Sequence, residues 1–539
     1  MIGRKSALIV SSHLISNLLA MVSLIILAKM WGVFATEALG IIGFALSFIS
    51  LFNIVTNLGF NSAHIKRVSE GKDIGTCLGT YATIKILLVS LMMLIVFCFI
   101  FIWKNILNKE FYDATTESVI IVMLVYTALI ELRYIALKTF KGTKEAAKLQ
   151  ITDIFLNIFK VPLTILVVLA GVSISGESNV PPAITWPAFL QPLQHFLANH
   201  ALGSLAMTYV FGALGSFLVG LWLLRKYPWK KPSWIYFKNY LIFALPMSLM
   251  AILAVVTTNI SKVIIGFFWT STEVGYYFSM ERILKFVTIL STSVSYILFP
   301  TISEYHSSKN YEGIKKKVRL AERYISMVMV PPIIVVTVFA KTFIEIFLSS
   351  AFLPAVYVLI FLLLWAFISG ITYPYSNIIS GTNKPKITAT IGACVCIAAV
   401  ILNLLFVPKN GLLSFIGLNG ATGAALATTL SITINFAGSR FVAKKITGIK
   451  ILQGHTPKHF FAGAVMGIIL YSLAYQTELF PSIGWYHLFL FSGLGLFIYL
   501  IVLFLLKEFD KDDFIFFFDI INPKKMIGYF FEELKNKPK

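Results

Sequence analysis

The sequence predicts an all-α polytopic membrane protein. About fourteen transmembrane helices form two six-helix lobes related by a parallel pseudo-two-fold repeat, plus two extra C-terminal helices. Three observations predict this. Of the 539 residues, 58% are apolar and only 13% are charged, outside the soluble globular range. Apolar runs of about 20 residues, the length that crosses a bilayer as a helix, recur along the whole chain. Two pairs of local signatures also recur at one shared offset.

The runs lie near 6–28, 39–58, 81–103, 118–137, 151–172, 203–224, 240–268, 276–300, 323–348, 354–380, 387–407, 420–443, 458–477 and 485–506. In lipid only closed hydrogen-bonding schemes survive, so these runs are helices. The first follows basic residues in "MIGRKSALIVSS", as a signal peptide would. It is long enough to span and no A-x-A-like site follows, so it is expected to stay as an uncleaved first helix. Alternate loops are basic: Lys66, Arg67, Lys72; Lys138, Lys141, Lys144, Lys148; Arg225, Lys226, Lys230, Lys231; Lys315, Lys316, Lys317, Arg319; Lys384, Lys386; and Lys444, Lys445, Lys450. The intervening loops hold only scattered cations. The positive-inside rule puts the basic loops and both termini in the cytoplasm, in a multi-pass cell (inner) membrane protein. Prolines in the long outer loop, Ser173–His200, forbid a continuous helix, and Phe189–Leu197 is expected along the outer interface. The tail, 507–539, mixes Phe with Asp and Lys and reads as a cytoplasmic, surface-lying segment.

"ATEALGIIGFALSFISLF" from Ala35 is answered by "STEVGYYFSMERILKFV" from Ser271, each before an even-numbered helix. "KGTKEAAKLQIT" from Lys141 is answered by "SGTNKPKITAT" from Ser380, each after an even-numbered helix. Both pairs are roughly 237 residues apart. A duplicated unit of six helices explains both, and an even number of spans makes the repeat parallel. The expected boundaries are 1–225 for an N-lobe, 226–445 for a C-lobe, 446–506 for helices 13 and 14, and 507–539 for the tail.

A formal net charge of +21 would suggest nucleic acid in a soluble chain. Here the cations are spread over short loops, so no nucleic-acid partner is expected. Cys77, Cys98, Cys394 and Cys396 mostly lie in or beside apolar runs, which gives no disulfide framework. Cys394 and Cys396 lack companion zinc ligands. Asp510–Asp512 reads as a solvated face rather than a metal site. No Gly-rich phosphate loop, zinc motif or nucleophile elbow stands out, so no cofactor, metal or catalytic residue is expected.

Four stretches carry a family resemblance: "ALGIIGFALSFISLFNIVTNLGF" (Ala38–Phe60), "EVGYYFSMERILKFVTILSTSVSYILFPTISEY" (Glu273–Tyr305), "ISGTNKPKITATIGACVCIAAVILNLLFVP" (Ile379–Pro408) and "LNGATGAALATTLS" (Leu418–Ser431). Over roughly helices 1–12 the chain resembles the polysaccharide and lipid-linked-oligosaccharide flippases of the multidrug/oligosaccharidyl-lipid/polysaccharide exporter superfamily. The resemblance implies two six-helix lobes around a cavity that opens alternately to each side. It also implies a substrate carried on a polyprenyl phosphate or pyrophosphate, and a place in cell-surface polysaccharide or glycan biosynthesis. The long outer loop departs from the compact family pattern.

Charges inside the spans point the same way. A charge at mid-membrane costs about 2.5–3.5 kcal/mol on the insertion scale, so each needs a partner, a watery cavity or a function. Asp153, Asn157 and Lys160 share one face of helix 5. Lys262 lies on helix 7, and Arg282 and Lys285 share a face of helix 8. Lys85, Lys262 and Arg133 could snorkel to an interface, and Glu281 could pair with Lys285 four residues on. After such pairing positive charge remains in surplus. Lys160, Lys262, Arg282 and Lys285 are therefore the expected binding residues for an anionic, phosphate-bearing ligand. Asp153 and Glu281 are the charge-partner or ion-coupling candidates. Polar His13, Ser16, Asn17, Asn53 and Asn57 either line a cavity or bond between helices. Pro246, Pro331, Pro332 and Pro374 interrupt apolar spans.

The leading function is a flippase for a lipid-linked anionic glycan. Its expected partners are that substrate, membrane lipids and glycan-assembly enzymes, with the protein itself a monomer and not an enzyme. The alternative within the superfamily is a cation-coupled multidrug or small-molecule antiporter, which would need interior carboxylates. A membrane glycosyltransferase or ligase would need a sizeable polar domain that the sequence lacks.

Overall fold

The computed structural model describes residues 2–109, 111, 115–171, 186–382, 384–450, 454–476 and 484–509. Among them there is no strand. The helices are α1 (Ile2–Phe52), α2 (Ile54–Asn57), α3 (Phe60–Ser69), α4 (Ile74–Phe101), α5 (Thr116–Gly142), α6 (Ala146–Ala170), α7 (Gln191–Asn199), α8 (Ala201–Leu224) and α9 (Trp234–Phe268). They continue with α10 (Ser271–Ser307), α11 (Tyr311–Val338), α12 (Ala340–Phe347), α13 (Val356–Gly381), α14 (Pro385–Phe406), α15 (Gly420–Thr447), α16 (His455–Tyr471) and α17 (Trp485–Leu505).

Eleven helices among the described residues are long and apolar enough to cross a membrane. Each of the fourteen apolar runs falls on a helix. Two of them, 276–300 and 420–443, fall on α10 and α15, which lie outside that set of eleven. The first two runs share α1, and the break between them is one residue, Gly32, at φ 52° and ψ −119°. Glycine alone adopts such angles without steric cost, so a kink replaces the loop expected there. α7 is a short helix whose approach leaves Phe189 80% and Phe196 58% exposed. Residues 173–185 of the long loop, and 510–539 with Asp510–Asp512, lie outside the described residues.

The packing follows one scheme in both halves. α6 packs on α8 as α14 packs on α15, and α5 on α8 as α13 on α15. Likewise α1 packs on α6 as α9 on α14, and α4 on α5 as α11 on α13. α16 and α17 join through α11. Between apolar helices in lipid, association relies on close packing rather than on escape from water. Small residues therefore mark the tightest crossing, α1 against α10. A Cβ at Gly40 would overlap the Ser271 carbonyl, and one at Gly275 would overlap the Thr36 carbonyl.

At the opposite end of the bundle, His64 ties four helices together. Its buried ring lies 3.0 Å from Tyr240 Oη and 2.9 Å from Thr139 Oγ1, and stacks on Tyr81 at 4.1 Å. Burial pushes its pKa down from 6.5 to about 3. A base held neutral in this way contributes stability that is fully present above pH 6.5. That stability is lost as pH falls from 6.5 toward 3, because the unfolded chain takes up the proton first. The melting temperature of the purified protein should therefore drop between pH 7.5 and pH 5. His64→Gln should lower it at pH 7.5 and flatten the acid dependence, and an unchanged slope in that variant would contradict this assignment.

Candidate functional site

The charged residues of the spans sort into those with a carboxylate partner and those without. Lys85 and Glu131 form a salt bridge of 2.5 Å at 0% and 1% side-chain exposure. Lys85 also donates to the Thr56 carbonyl at 3.0 Å, and Asn53 donates to Glu131 at 2.8 Å. Lys85 does not snorkel: Glu131 answers it inside the bundle. Arg133 likewise turns inward, to Asp153 at 3.2 Å and Ser216 Oγ at 3.1 Å. Asp153 shares a face with Lys160 but serves the arginine of α5.

Glu281 pairs with Lys262 of α9 at 2.6 Å. The pairing with Lys285 that the i,i+4 spacing allows does not form as a salt bridge. Lys262 is 3% exposed and has no other carboxylate within reach among the described residues, whereas Lys285 is exposed and can be solvated. Lys262 also donates to the Thr258 carbonyl at 3.1 Å.

Lys160, Arg282 and Lys285 remain. Among the described residues none of them has a carboxylate within 4.0 Å. They converge on Tyr209 of α8. Arg282 Nη2 donates to Tyr209 Oη at 2.6 Å, and Lys160 Nζ lies 4.7 Å from the centre of the same ring. Lys285, one helical turn beyond Arg282, is close enough to act electrostatically on Glu281, Lys160 and Tyr209. The far face of Arg282 rests on Phe278 at 4.2 Å, and Tyr126 meets Tyr209 edge-on at 5.7 Å. The cluster draws Lys160 and Tyr209 from the first half of the chain and Arg282 and Lys285 from the second. Gly212 allows the close crossing of α6 and α8 that seats Lys160, since a Cβ there would come within 2.8 Å of Lys160 Cβ.

Tyr209 is not among the residues that the sequence singles out. Its signal is a lone phenol in the apolar run of α8, the sort of polar tip that needs a partner when buried. Chemically the cluster presents three cations and a hydroxyl to one locus, a donor set suited to phosphate. Among the described residues no group of three metal-ligating side chains occurs.

A bundle of apolar helices holding a cationic cluster between its two halves is the architecture of a membrane transporter. Two family models described as "Polysaccharide biosynthesis protein" match residues 2–176 and 195–357. The chain is 23% identical over 392 residues to the "Probable low-salt glycan biosynthesis flippase Agl15" of Haloferax volcanii, covering 72% of each protein. The fold is similar to that of the lipid II flippase MurJ in an inward closed conformation. That match has a TM-score of 0.70 at 16% identity and covers 95% of this chain and 99% of the other. It is also similar to an inward-facing multidrug resistance MATE family transporter of the MOP superfamily, at TM-score 0.59, 13% identity, and coverage of 80% and 96%. These findings bear out the resemblance read from the sequence. The protein is a multi-pass membrane protein with the fold of these transporters, and its sequence matches polysaccharide-biosynthesis models and a glycan-biosynthesis flippase.

The Tyr209–Arg282 bond can be measured in a double-mutant cycle. Tyr209→Phe keeps the ring and removes the acceptor, and Arg282→Met removes the donor. Hydrogen bonds to charged groups contribute about 1.5–3 kcal/mol, so the two losses should be non-additive by about that amount in equilibrium unfolding in detergent. Strict additivity would mean that the two side chains do not interact.

Proposed function

We propose that this protein is a flippase for a polyprenyl-(pyro)phosphate-linked oligosaccharide or polysaccharide repeat unit. It moves the unit from the cytoplasmic to the outer leaflet by alternating access, for cell-surface glycan assembly. The observation that carries the reading is the arrangement of charge. Asp153 and Glu281 bond to Arg133 and Lys262, whereas Lys160, Arg282 and Lys285 converge with no carboxylate of their own within 4.0 Å among the described residues. A cation carrier needs the reverse polarity, so the antiporter alternative, although compatible with the fold, has less support.

In this reading residues 1–225 and 226–445 are the two lobes, and the parallel packing of their helices supports the division. The basic loops face the cytoplasm, as do both termini, in the inner or cell membrane. The Gly40–Gly275 crossing then lies at the outer end of the bundle and closes it, so the cluster is reached from inside. The phosphate binds Lys160 of one lobe and Arg282 and Lys285 of the other. It brings negative charge to a cluster whose nearest carboxylates, Asp153 and Glu281, already bond to Arg133 and Lys262, and it screens three cations that repel one another. The polyprenyl chain stays in lipid. The protein works as a monomer beside the enzymes that assemble the glycan.

Removing the protein should leave the lipid-linked glycan on the inner leaflet, where identifying the accumulated species gives the substrate. With Lys160, Arg282 and Lys285 all changed to Gln, arrival of the glycan at the outer leaflet, per inserted protein, should fall at least tenfold. The loss of even one charged hydrogen bond is worth about that factor. Unimpaired transport by this variant would rule out a cationic head-group site.

A further inference from the structure

A cavity of ≈ 480 Å³ lies between α9, α13, α14 and α15. Its size falls in the range of about 300–1,000 Å³ typical of small-ligand sites, and its chemistry differs from that of the cationic cluster. No Asp, Glu, Lys, Arg or His is among its lining residues. A bare cation or a phosphate would therefore find no counter-charge there. The lining is nevertheless polar. Ser369 on α13 is 6% exposed, and its hydroxyl has no hydrogen-bond partner among the described residues. The Thr388 hydroxyl on α14 is buried and unpartnered in the same way. Leaving a buried hydroxyl unpaired is costly, and here two residues with such hydroxyls, on adjacent helices, line one cavity. Asn435 on α15 accepts from Ser439 Oγ at 3.0 Å and retains its amide hydrogens. Trp365 adds a flat apolar face to the lining.

Neutral hydroxyls, an amide and an indole face together match a neutral sugar ring, which has hydroxyls at its rim and C–H bonds on its faces. The cavity's place along α9 fits the same ligand. Thr258 lines it, and the Thr258 carbonyl accepts from Lys262 Nζ at 3.1 Å. The cavity therefore begins one helical turn from the Lys262–Glu281 pair, and Glu281 is next to Arg282 in sequence. We infer that this cavity is a subsite for an uncharged sugar residue of the transported glycan, separate from the cations that take its phosphate. The inference rests on the proposed lipid-linked glycan substrate and adds the place where the sugar is recognised.

The test replaces the two unpartnered hydroxyls by near-isosteres in the full-length protein, Ser369→Ala with Thr388→Val. Two quantities are read in parallel: outer-leaflet arrival of the endogenous lipid-linked glycan per inserted protein, and retention of sugar-free polyprenyl phosphate by the purified protein in native mass spectrometry. If the hydroxyls serve only as packing, removing them leaves transport unchanged and the melting temperature equal or higher. A sugar subsite predicts the same unimpaired melting temperature and unchanged retention of polyprenyl phosphate, but transport reduced about tenfold. Trp365→Ala, which also removes core packing, should lower transport per inserted protein while retention of polyprenyl phosphate stays unchanged. Unchanged transport in both variants overturns the subsite. Failure of the wild-type protein to retain polyprenyl phosphate would instead count against the phosphate site, whatever the cavity variants do.

Discussion

Charge held among apolar helices must be neutralised, hydrated or used, and this constraint organises the molecule. Breaking a buried ion pair by removing one partner costs about 3–5 kcal/mol. Pairs such as Lys85–Glu131 therefore fix which helices stay together. In the second half Arg440 pairs with Glu322, which also accepts from Tyr375 at 2.5 Å and from Thr456 at 3.1 Å. That network joins α11, α13, α15 and α16. Glu508, just past α17, is buried and receives Arg323 at 3.0 Å and Lys458 at 3.0 Å. Against this background of paired charge, Lys160, Arg282 and Lys285 gather at Tyr209 with no carboxylate within 4.0 Å among the described residues, and in the proposed function a ligand supplies the negative charge.

The same cluster spans the two halves of the chain. Tyr209 and Lys160 come from one half, and Arg282 and Lys285 from the other. The halves also meet where α1 and α10 cross at Gly40 and Gly275, with no room for side chains. One contact is a tight backbone crossing and the other is polar and open to exchange of partners. On the proposed mechanism, a phosphate that replaces Tyr209 as the acceptor for Arg282 changes what holds the halves together at mid-bundle. Differential contacts of this kind are what a ligand needs in order to shift a conformational equilibrium.

Much of the fold was legible because the bilayer simplifies the code. Apolar runs of spanning length must be helices, and all fourteen fall on helices. The break after the first run was not legible in detail, since one glycine at φ 52° stands where a loop was expected. Within the site, the cations were legible as residue types out of place in lipid, but their partners were not. Glu131 answers Lys85 from 46 positions away, Glu322 answers Arg440 from 118, and Tyr209 answers Arg282 from 73. Helical spacing speaks only about neighbours three and four apart. It favoured Glu281 with Lys285, where the tertiary packing instead joins Glu281 to Lys262 across 19 positions. Partners supplied by other helices leave no local trace in sequence.

In the proposed function Lys160, Arg282 and Lys285 form a site for a lipid phosphate. The most direct measurement is the retention of polyprenyl phosphate against the uncharged polyprenol by the purified protein in native mass spectrometry. A cationic head-group site keeps the phosphate and not the alcohol. Such a site also predicts that the preference disappears when Lys160, Arg282 and Lys285 carry no charge and persists when Lys85 and Glu131 are replaced together by apolar residues. Equal retention of the two lipids, or a preference untouched by loss of the three cations, would contradict it.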